Sequence, residues 1–573
     1  MVHRHDLVIR GGTLADGTGG PLREAEVAID GGRVVAVGRI EGTGREEIDA
    51  KGLLVTPGFV DIHTHYDGQA TWDSRLQPSS WHGVTTVVMG NCGVGFAPVR
   101  PSDHDRLIEL MEGVEDIPGA ALHEGLDWSW QSFPGYLDAL AARHYDADVC
   151  AQLPHGALRV YVMGERGARL EQATADDVAE MRKLTAEAMR AGSIGFSTSR
   201  TLNHRTVKGD PTPSLRATEE ELTGIALGLK DAGTGVFEMI SDFEDQEAEF
   251  AMIRRLVEAS GRPLSLSLGQ SHSSPNGWRK LLARVGKAAE DGLEIRAQVA
   301  PRPIGTLYGL QSSLNPFSAH PSFRAIAQRS LADKVAALRD PAFRMRLLAE
   351  TPEGNAMLVK RLRDFSRIFP LGQTPDYEPP RERSVAAMAA AQGRDPADLA
   401  CDLLVEDEGR AFLFAPFSNY AEYSLDACGE MMRDPNTVMG LGDGGAHVGL
   451  ISDASFTTYL LAHWGRDRPQ GRLPVETLVK KQAADTARAV GLRDRGVIAP
   501  GMKADLNVID FDRLALERPA MAFDLPAGGK RLLQRARGYE ATVVSGAITY
   551  RGGEATSALP GRLVRGAQAA PQS

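Results

Sequence analysis

Cysteine is scarce in this chain. The 573 residues hold four, Cys92, Cys150, Cys401 and Cys428, and no two are near neighbours. That spacing excludes a CxxC zinc knuckle and does not suit a disulfide framework. Long hydrophobic runs are also missing: Gly, Ser or charge interrupts each one before the ~20 apolar residues of a membrane-spanning helix. No lysine or arginine run occurs and the formal net charge is -11, so there is no electrostatic footprint for nucleic acid or an anionic membrane. The opening MVHRHDLVIRGG lacks the apolar core and cleavage site of a signal peptide, which makes a cytoplasmic location the expectation. No GxGxxG opens a helix and no P-loop lysine follows a glycine-rich turn, which leaves dinucleotide and triphosphate chemistry without a motif. The remaining expectation for a partner is a small molecule. Self-association stays open.

What is present is the balance of a globular protein, 42% hydrophobic and 24% charged. The length implies one large domain of about 250 residues or more with at least one smaller companion. Both ends are rich in short strands separated by glycine turns: DLVIRGG, EVAIDGGRVVAVG and KGLLVTPG at the start, ADLNVIDFD and YEATVVSGAITYRGG at the finish. Between them, strand-like runs alternate with amphipathic helices. The strand-like runs are VTTVVMGNCG, DADVCAQLP, GSIGFSTS, TGVFEMIS, RPLSLSLGQ, LEIRAQVAP, RAFLFAP and NTVMGLGDGGAH. With the strand that ends in HTH they predict a (β/α)8 barrel of roughly eight parallel strands. The expected division is 1–56 and 501–573 in a β-sandwich built from both ends, and 57–500 in the barrel. Residues 101–147 and 301–385 are expected as long insertions that wall the barrel mouth. Thr174 before ADDVAEMRKLTAEAMRAG reads as a helix N-cap.

In GLLVTPGFVDIHTHYDGQ the run from Leu53 to Ile62 is apolar enough for a barrel strand, and His63 and His65 follow at its end. Residues two apart in an extended strand share a face, so both imidazoles can address one metal ion. The next predicted strand ends in Asn91-Cys92-Gly93. Because consecutive barrel strands deliver their ends to one mouth, the Cys92 thiolate can complete a zinc site there. Late in the chain, LGDGGAHVG places Asp443 just beyond an apolar strand, where a carboxylate can ligate a metal and carry a proton. His447 follows as a neighbour. His155 and His204 are candidates to orient a carbonyl, and Arg200 and Arg302 to pair with a substrate carboxylate.

DIHTH after PGF, NCG on the next strand, the late GDGGAH and the closing DRGVIAPGMKADLNVID together resemble the amidohydrolase superfamily, closest to the N-acyl-D-amino-acid deacylases, the D-aminoacylases. The cysteine at the end of the second strand is what points to that branch. The resemblance implies a β-sandwich beside a metal-bearing barrel, and zinc-dependent hydrolysis of the amide of an N-acylated D-amino acid.

That family has two further metal histidines, at the ends of the fifth and sixth barrel strands. Here those strands read GVFEMISDFE and RPLSLSLGQSH, and Glu238 and His272 are the only candidate replacements. One zinc ion, held by His63, His65, Cys92 and Asp443, is therefore the expectation, with no complete ligand set for a second. Two alternatives stay open at this stage: hydrolysis of a cyclic amide or another C–N bond, and a non-catalytic barrel scaffold.

Overall fold

The computed structural model describes residues 4–572. Its first strands, β1 (Arg4–Leu14), β2 (Arg23–Asp30), β3 (Arg33–Gly38), β4 (Thr43–Asp49) and β5 (Leu54–Pro57), form one half of a nine-stranded mixed sheet. The barrel follows as β6 (Phe59–Asp61), β7 (Val84–Met89), β8 (Asp148–Pro154), β9 (Gly195–Arg200), β10 (Val236–Ser241), β11 (Leu264–Ser267) and β12 (Ile295–Val299). Next come β13 (Ile304–Tyr308), β14 (Phe369–Pro370) and β15 (Leu413–Ser418), a small separate sheet. After them, β16 (Thr437–Met439) completes the barrel. The far end supplies β17 (Leu506–Ile509), two short pairings among β18 (Ala515–Leu516), β19 (Ala520–Leu525), β20 (Gly529–Leu533) and β21 (Ala536–Arg537), and then β22 (Tyr539–Val544), β23 (Ala547–Arg551) and β24 (Glu554–Ala555).

The eight barrel strands pair in parallel in the order β6-β7-β8-β9-β10-β11-β12-β16. A parallel bridge between Thr64 and Gly444, just beyond the two end strands, joins β6 to β16 and closes the ring. Helices Ala175–Ala191, Glu219–Ala232, Gln246–Ser260 and Gly277–Glu290 fill the crossovers between successive strands. Their ends are chemically specified. Thr174 caps the first in a reciprocal box with Asp177, and Gly192 ends it at φ 114°, a left-handed conformation costly for a residue with a Cβ.

The run read as one strand, Leu53 to Ile62, is two. Leu54–Pro57 pairs antiparallel with β17 in the terminal sheet, whereas Phe59–Asp61 pairs with β7 in the barrel. Proline lacks the amide needed to continue both ladders, and Gly58 passes so close to Thr85 that a Cβ would sit 2.2 Å from its Oγ1. The two chain ends share one sheet because β17 lies between β5 and β22. They also share one apolar core, in which Leu7, Ile9 and Val55 meet Leu506, Val508 and Val543.

A second correction concerns RAFLFAP. It is β15, paired antiparallel with β13 and β14 outside the barrel. A short apolar run has no period that distinguishes a barrel strand from any other buried strand, so only its pairing decides. The segment from Tyr308 to Ala415 carries its own apolar core, with Phe317, Leu338, Leu347, Leu404 and Leu413 buried together. The interruption between the seventh and eighth barrel strands thus runs beyond residue 385 and is a packed unit.

Candidate metal centre

His63 and His65 flank the closing bridge residue Thr64, whose amide and hydroxyl both donate to the carbonyl of Val88. With Thr64 tied outward to β7, its two neighbours turn into the barrel mouth, where each is 1% exposed. Cys92 arrives from the end of β7 with φ 56°, a left-handed conformation uncommon outside glycine. Its amide donates to Glu238 Oε2 at 3.1 Å and that of Gly93 to Ser197 Oγ at 3.0 Å, and these two bonds hold the turn in place. Asp443, also left-handed at φ 46°, comes from the turn after β16. Glycine is required beside it: a Cβ on Gly444 would lie 2.3 Å from Ser79 Oγ.

These four side chains converge. His63, His65 and Cys92 can each offer a ligand atom with all three atoms within 4.8 Å of one another. His63 Nε2 is 3.3 Å from Cys92 Sγ and 3.5 Å from Asp443 Oδ1, and His65 Nε2 is 3.7 Å from the same oxygen. Tetrahedral zinc, with bonds of ~2.0–2.3 Å, sets its ligand atoms ~3.3–3.8 Å apart, and these three contacts fall in that range. The group whose ligand atoms all lie within 4.8 Å of one another is His63, His65 and Cys92, without Asp443. His63 Nδ1 meets Gln298 Oε1 at 2.8 Å, which leaves Nε2 directed at the cluster.

Electrostatics favour two members of that donor set and oppose a third, because burial and the surrounding carboxylates, Glu238 first, push the Cys92 thiol well above its usual range. Burial pushes the His65 pKa down to about 4, so the ring is neutral as a ligand must be. Burial also opposes ionisation of Asp443, but the His65 ring nitrogen and the fields of His63 and His447 outweigh it and hold the carboxyl below its usual range. Asp61, directly beneath, has the opposite balance: burial raises it to about 7, and its Oδ2 has no hydrogen-bond partner.

The expected replacements for the missing histidines do not complete a second site. The Oε2 of Glu238 accepts from the Cys92 amide and its Oε1 is buried without a hydrogen-bond partner, but among the described residues it joins no group of three ligand atoms. His272 lies past the end of β11 in the fields of Arg367 and Asp364, and is not part of the cluster either. At the strand positions themselves, Ser265 hydrogen-bonds Gln298 at 3.0 Å, a polar contact with no ligand character.

The predicted substrate contacts fare unevenly. Both ring nitrogens of His155 are used, by Thr198 Oγ1 at 2.8 Å and Glu221 Oε1 at 2.9 Å, in a fully buried network that includes Arg159. His155 therefore braces the barrel wall and has no free nitrogen for a ligand. Arg200 forms a two-pronged pair with Glu249, at 2.6 and 3.1 Å, which occupies the fork meant for a carboxylate. Arg302 is buried with its Cζ 3.9 Å from the centre of the Tyr377 ring, and pairs through Nη2 with Asp453 at 2.6 Å, while its Nε and Nη1 stay unpaired. His447 does reach the cluster, 4.0 Å from Asp443 Oδ2. His204 is held by Ser199 Oγ at 2.9 Å, and burial together with the fields of His447 and His65 keeps its pKa down at about 3.

One residue was missed altogether. Glu115, 1% exposed, ends the helix His104–Glu115 and approaches both His65 and His447. A signal for it existed: with Leu107, Ile108, Met111 and Val114 it lies on the buried stripe of that helix, where a carboxylate is out of place unless it has work to do.

Comparisons with known proteins are consistent with this geometry. Residues 46–550 match the model of the Amidohydrolase family. The chain is similar to the D-aminoacylase of Alcaligenes xylosoxydans xylosoxydans, 27% identical over 571 residues, which span 98% of this chain and 97% of the relative. It is also similar to the N-acyl-D-aspartate deacylase of the same organism, 27% identical over 99% of this chain and 96% of the relative. Among solved structures, a D-aminoacylase studied for its binuclear metal center, with one-metal activation and second-metal attenuation, superposes with a TM-score of 0.65. It is 25% identical and the match covers 98% of this chain and 100% of that one.

Proposed function

Since the chain belongs to the amidohydrolase family, we propose that it removes the acyl group from an N-acyl-D-amino acid, using one zinc ion. It is a hydrolase of C–N bonds other than peptide bonds. The finer reading rests on one observation: His63, His65 and Cys92 gather as candidate ligands, with Asp443 beside both histidines, in a barrel similar along nearly its whole length to deacylases of D-amino acids. A single ion is favoured because neither Glu238 nor His272 supplies a second ligand set, and the D-aminoacylase structure described above is reported as active with one metal.

In this reading His63 and His65 through Nε2, Cys92 through Sγ and Asp443 through Oδ1 hold the ion. When bound, zinc contributes Lewis acidity toward a carbonyl oxygen or a water molecule. The remaining work belongs to the chain. Asp443, kept ionised by the histidines around it, accepts a proton from the attacking water and passes it to the leaving nitrogen. A C–O bond forms, the amide C–N bond breaks, and the products are a carboxylate and a free amino acid. Arg302, with two unpaired guanidinium nitrogens, is the better placed of the two arginines to meet a substrate carboxylate, since Arg200 is already committed.

Turnover of N-acetyl-D-amino acids, N-acetyl-L-amino acids and hydantoins by the zinc-loaded enzyme tests the substrate class. Hydrolysis of one or more D-substrates, with the L-forms and cyclic amides untouched, is expected. No activity on any acyl-D-amino acid removes this reading.

A further inference from the structure

The carboxyl group of Glu115, which burial and the nearby Asp443 and Asp67 push well above the usual carboxylate range, lies between two histidines. Its Oε1 is 3.2 Å from His65 Nδ1 and its Oε2 is 3.6 Å from His447 Nε2. Both histidines also face Asp443: His65 through its other nitrogen, with Nε2 3.7 Å from Oδ1, and His447 through the same Nε2, 4.0 Å from Oδ2. The four side chains therefore form a closed circuit around the base of the candidate metal centre. His65 Nδ1 and Glu115 Oε2 are both buried and neither has a hydrogen-bond partner; the acceptor facing Nδ1 is Glu115 Oε1 at 3.2 Å. A buried, unpartnered ring nitrogen 3.2 Å from a buried carboxyl oxygen has one economical arrangement: a proton is held between Nδ1 and Oε1, and Nε2 keeps its lone pair.

Glu115 also comes from an unusual place. It is carried by the insertion after β7 and by no barrel strand, and the main chain locks it to the Asp443 turn, because the amide of Val448 donates to the Glu115 carbonyl at 3.2 Å. Asp116, next in the chain, accepts from the amide of Gly449 at 3.1 Å and from Ser313 Oγ at 2.8 Å. Two insertions and the catalytic turn are thereby tied together at this one helix end.

We propose that Glu115 is a positioning residue of the metal centre: it holds His65 in the tautomer that presents Nε2 to the ion, and it seats His447 beside Asp443. The inference rests on the metal reading given above. Carboxylates behind metal-binding histidines typically contribute about 10- to 100-fold in metal affinity by fixing the ring and raising its basicity.

The test uses the full-length chain stripped of metal, with zinc affinity read by competition against a chromogenic chelator and the thermal midpoint of the metal-free form read in parallel. Glu115→Leu, which removes the carboxyl group, should weaken zinc binding about 10- to 100-fold while the metal-free midpoint does not fall. Glu115→Gln keeps the shape but replaces one carboxyl oxygen with an amide, and should weaken zinc severalfold; it decides the matter if the leucine variant does not fold. Zinc affinity within twofold of the parent in a folded variant, with a lower metal-free midpoint, overturns the proposal and makes Glu115 merely structural. A parent chain that takes up no zinc removes the metal reading and this inference together, a result distinct from equal binding by parent and variant.

Discussion

The amide of Asp443 donates to the carbonyl of His63 at 2.9 Å, and one residue on, the amide of His65 donates to the carbonyl of Gly444 at 2.7 Å. The segment of His63 and His65 and the turn of Asp443, far apart in the chain, are thus laced together by main-chain hydrogen bonds at the seam where the barrel closes. Side chains positioned by backbone pairing of this kind need no loop ordering when substrate arrives.

Asp443 carries the proton in the proposed reaction. Replacing it with asparagine should lower kcat by about 10³-fold, the range for removal of a general acid-base group. His63, His65 and Cys92 remain, so much of the zinc should stay. Steady-state kinetics with metal analysis of the same preparation checks both parts, and an Asp443→Asn enzyme of normal activity would end its role as proton carrier.

In the proposed centre Cys92 is the soft ligand. Cys92→Ser should lower zinc affinity and shift preference toward harder ions such as manganese, because a hydroxyl is a poor substitute for a thiolate. Competition titrations with the two ions measure this. Unchanged selectivity would show that the sulfur does not touch the metal.

Metal removal should be reversible and should follow one-site behaviour. Exhaustive chelation is expected to abolish turnover, and one equivalent of zinc per chain to restore it, with a rise in the thermal midpoint that follows the free zinc concentration. A requirement for two tightly held equivalents would contradict the incomplete second ligand set around Glu238.

The opposite end of the barrel makes a pH prediction. Burial opposes ionisation of Asp148, but Lys503 at 2.9 Å and Arg495 at 2.7 Å hold its carboxyl down to about 2, against 3.8 for the free group. A depressed carboxyl stabilises the fold fully above the unfolded value, and that contribution is lost as the pH falls from 3.8 toward about 2. Asp148→Asn should cost about 1.5–3 kcal/mol at neutral pH, the range for hydrogen bonds to charged groups, because Arg495 and Lys503 lose a shared partner but keep Asp494 at 2.9 Å and Asp505 at 2.7 Å. It should also flatten the acid limb of stability. Urea unfolding across a pH series reads both effects.

Gly58 joins the two domains against Thr85. Gly58→Ala should destabilise by about 1–3 kcal/mol through the forced overlap. Adding Thr85→Ala, which removes Oγ1 and Cγ2, should recover part of the loss. No recovery in the double variant would locate the cost in the backbone.

Much of this was legible in the chain itself, for stated reasons. The period of two in DIHTH put His63 and His65 on one side, and the strand ends after VTTVVMG and NTVMGLG located Cys92 and Asp443 at the same mouth. Apolar alternation also read RAFLFAP as a barrel strand, which it is not, because pairing partners leave no trace in a short buried run. The arginines failed for a related reason. A lone arginine shows its charge in the sequence but not its partner, and Glu249 had already taken Arg200.

The sequence by itself determined the barrel, the β domain built from two ends, and the residue types that can hold one metal ion, since these depend on local period, turn chemistry and the order of strands. Only the tertiary structure decided which polar groups are already spent on one another. It committed His155 to Glu221 and Glu238 to the Cys92 amide, and it brought Glu115 from an insertion to the back of His65. Such assignments are made by contacts between segments hundreds of residues apart, and burial gives each a large energetic weight that composition and spacing do not encode.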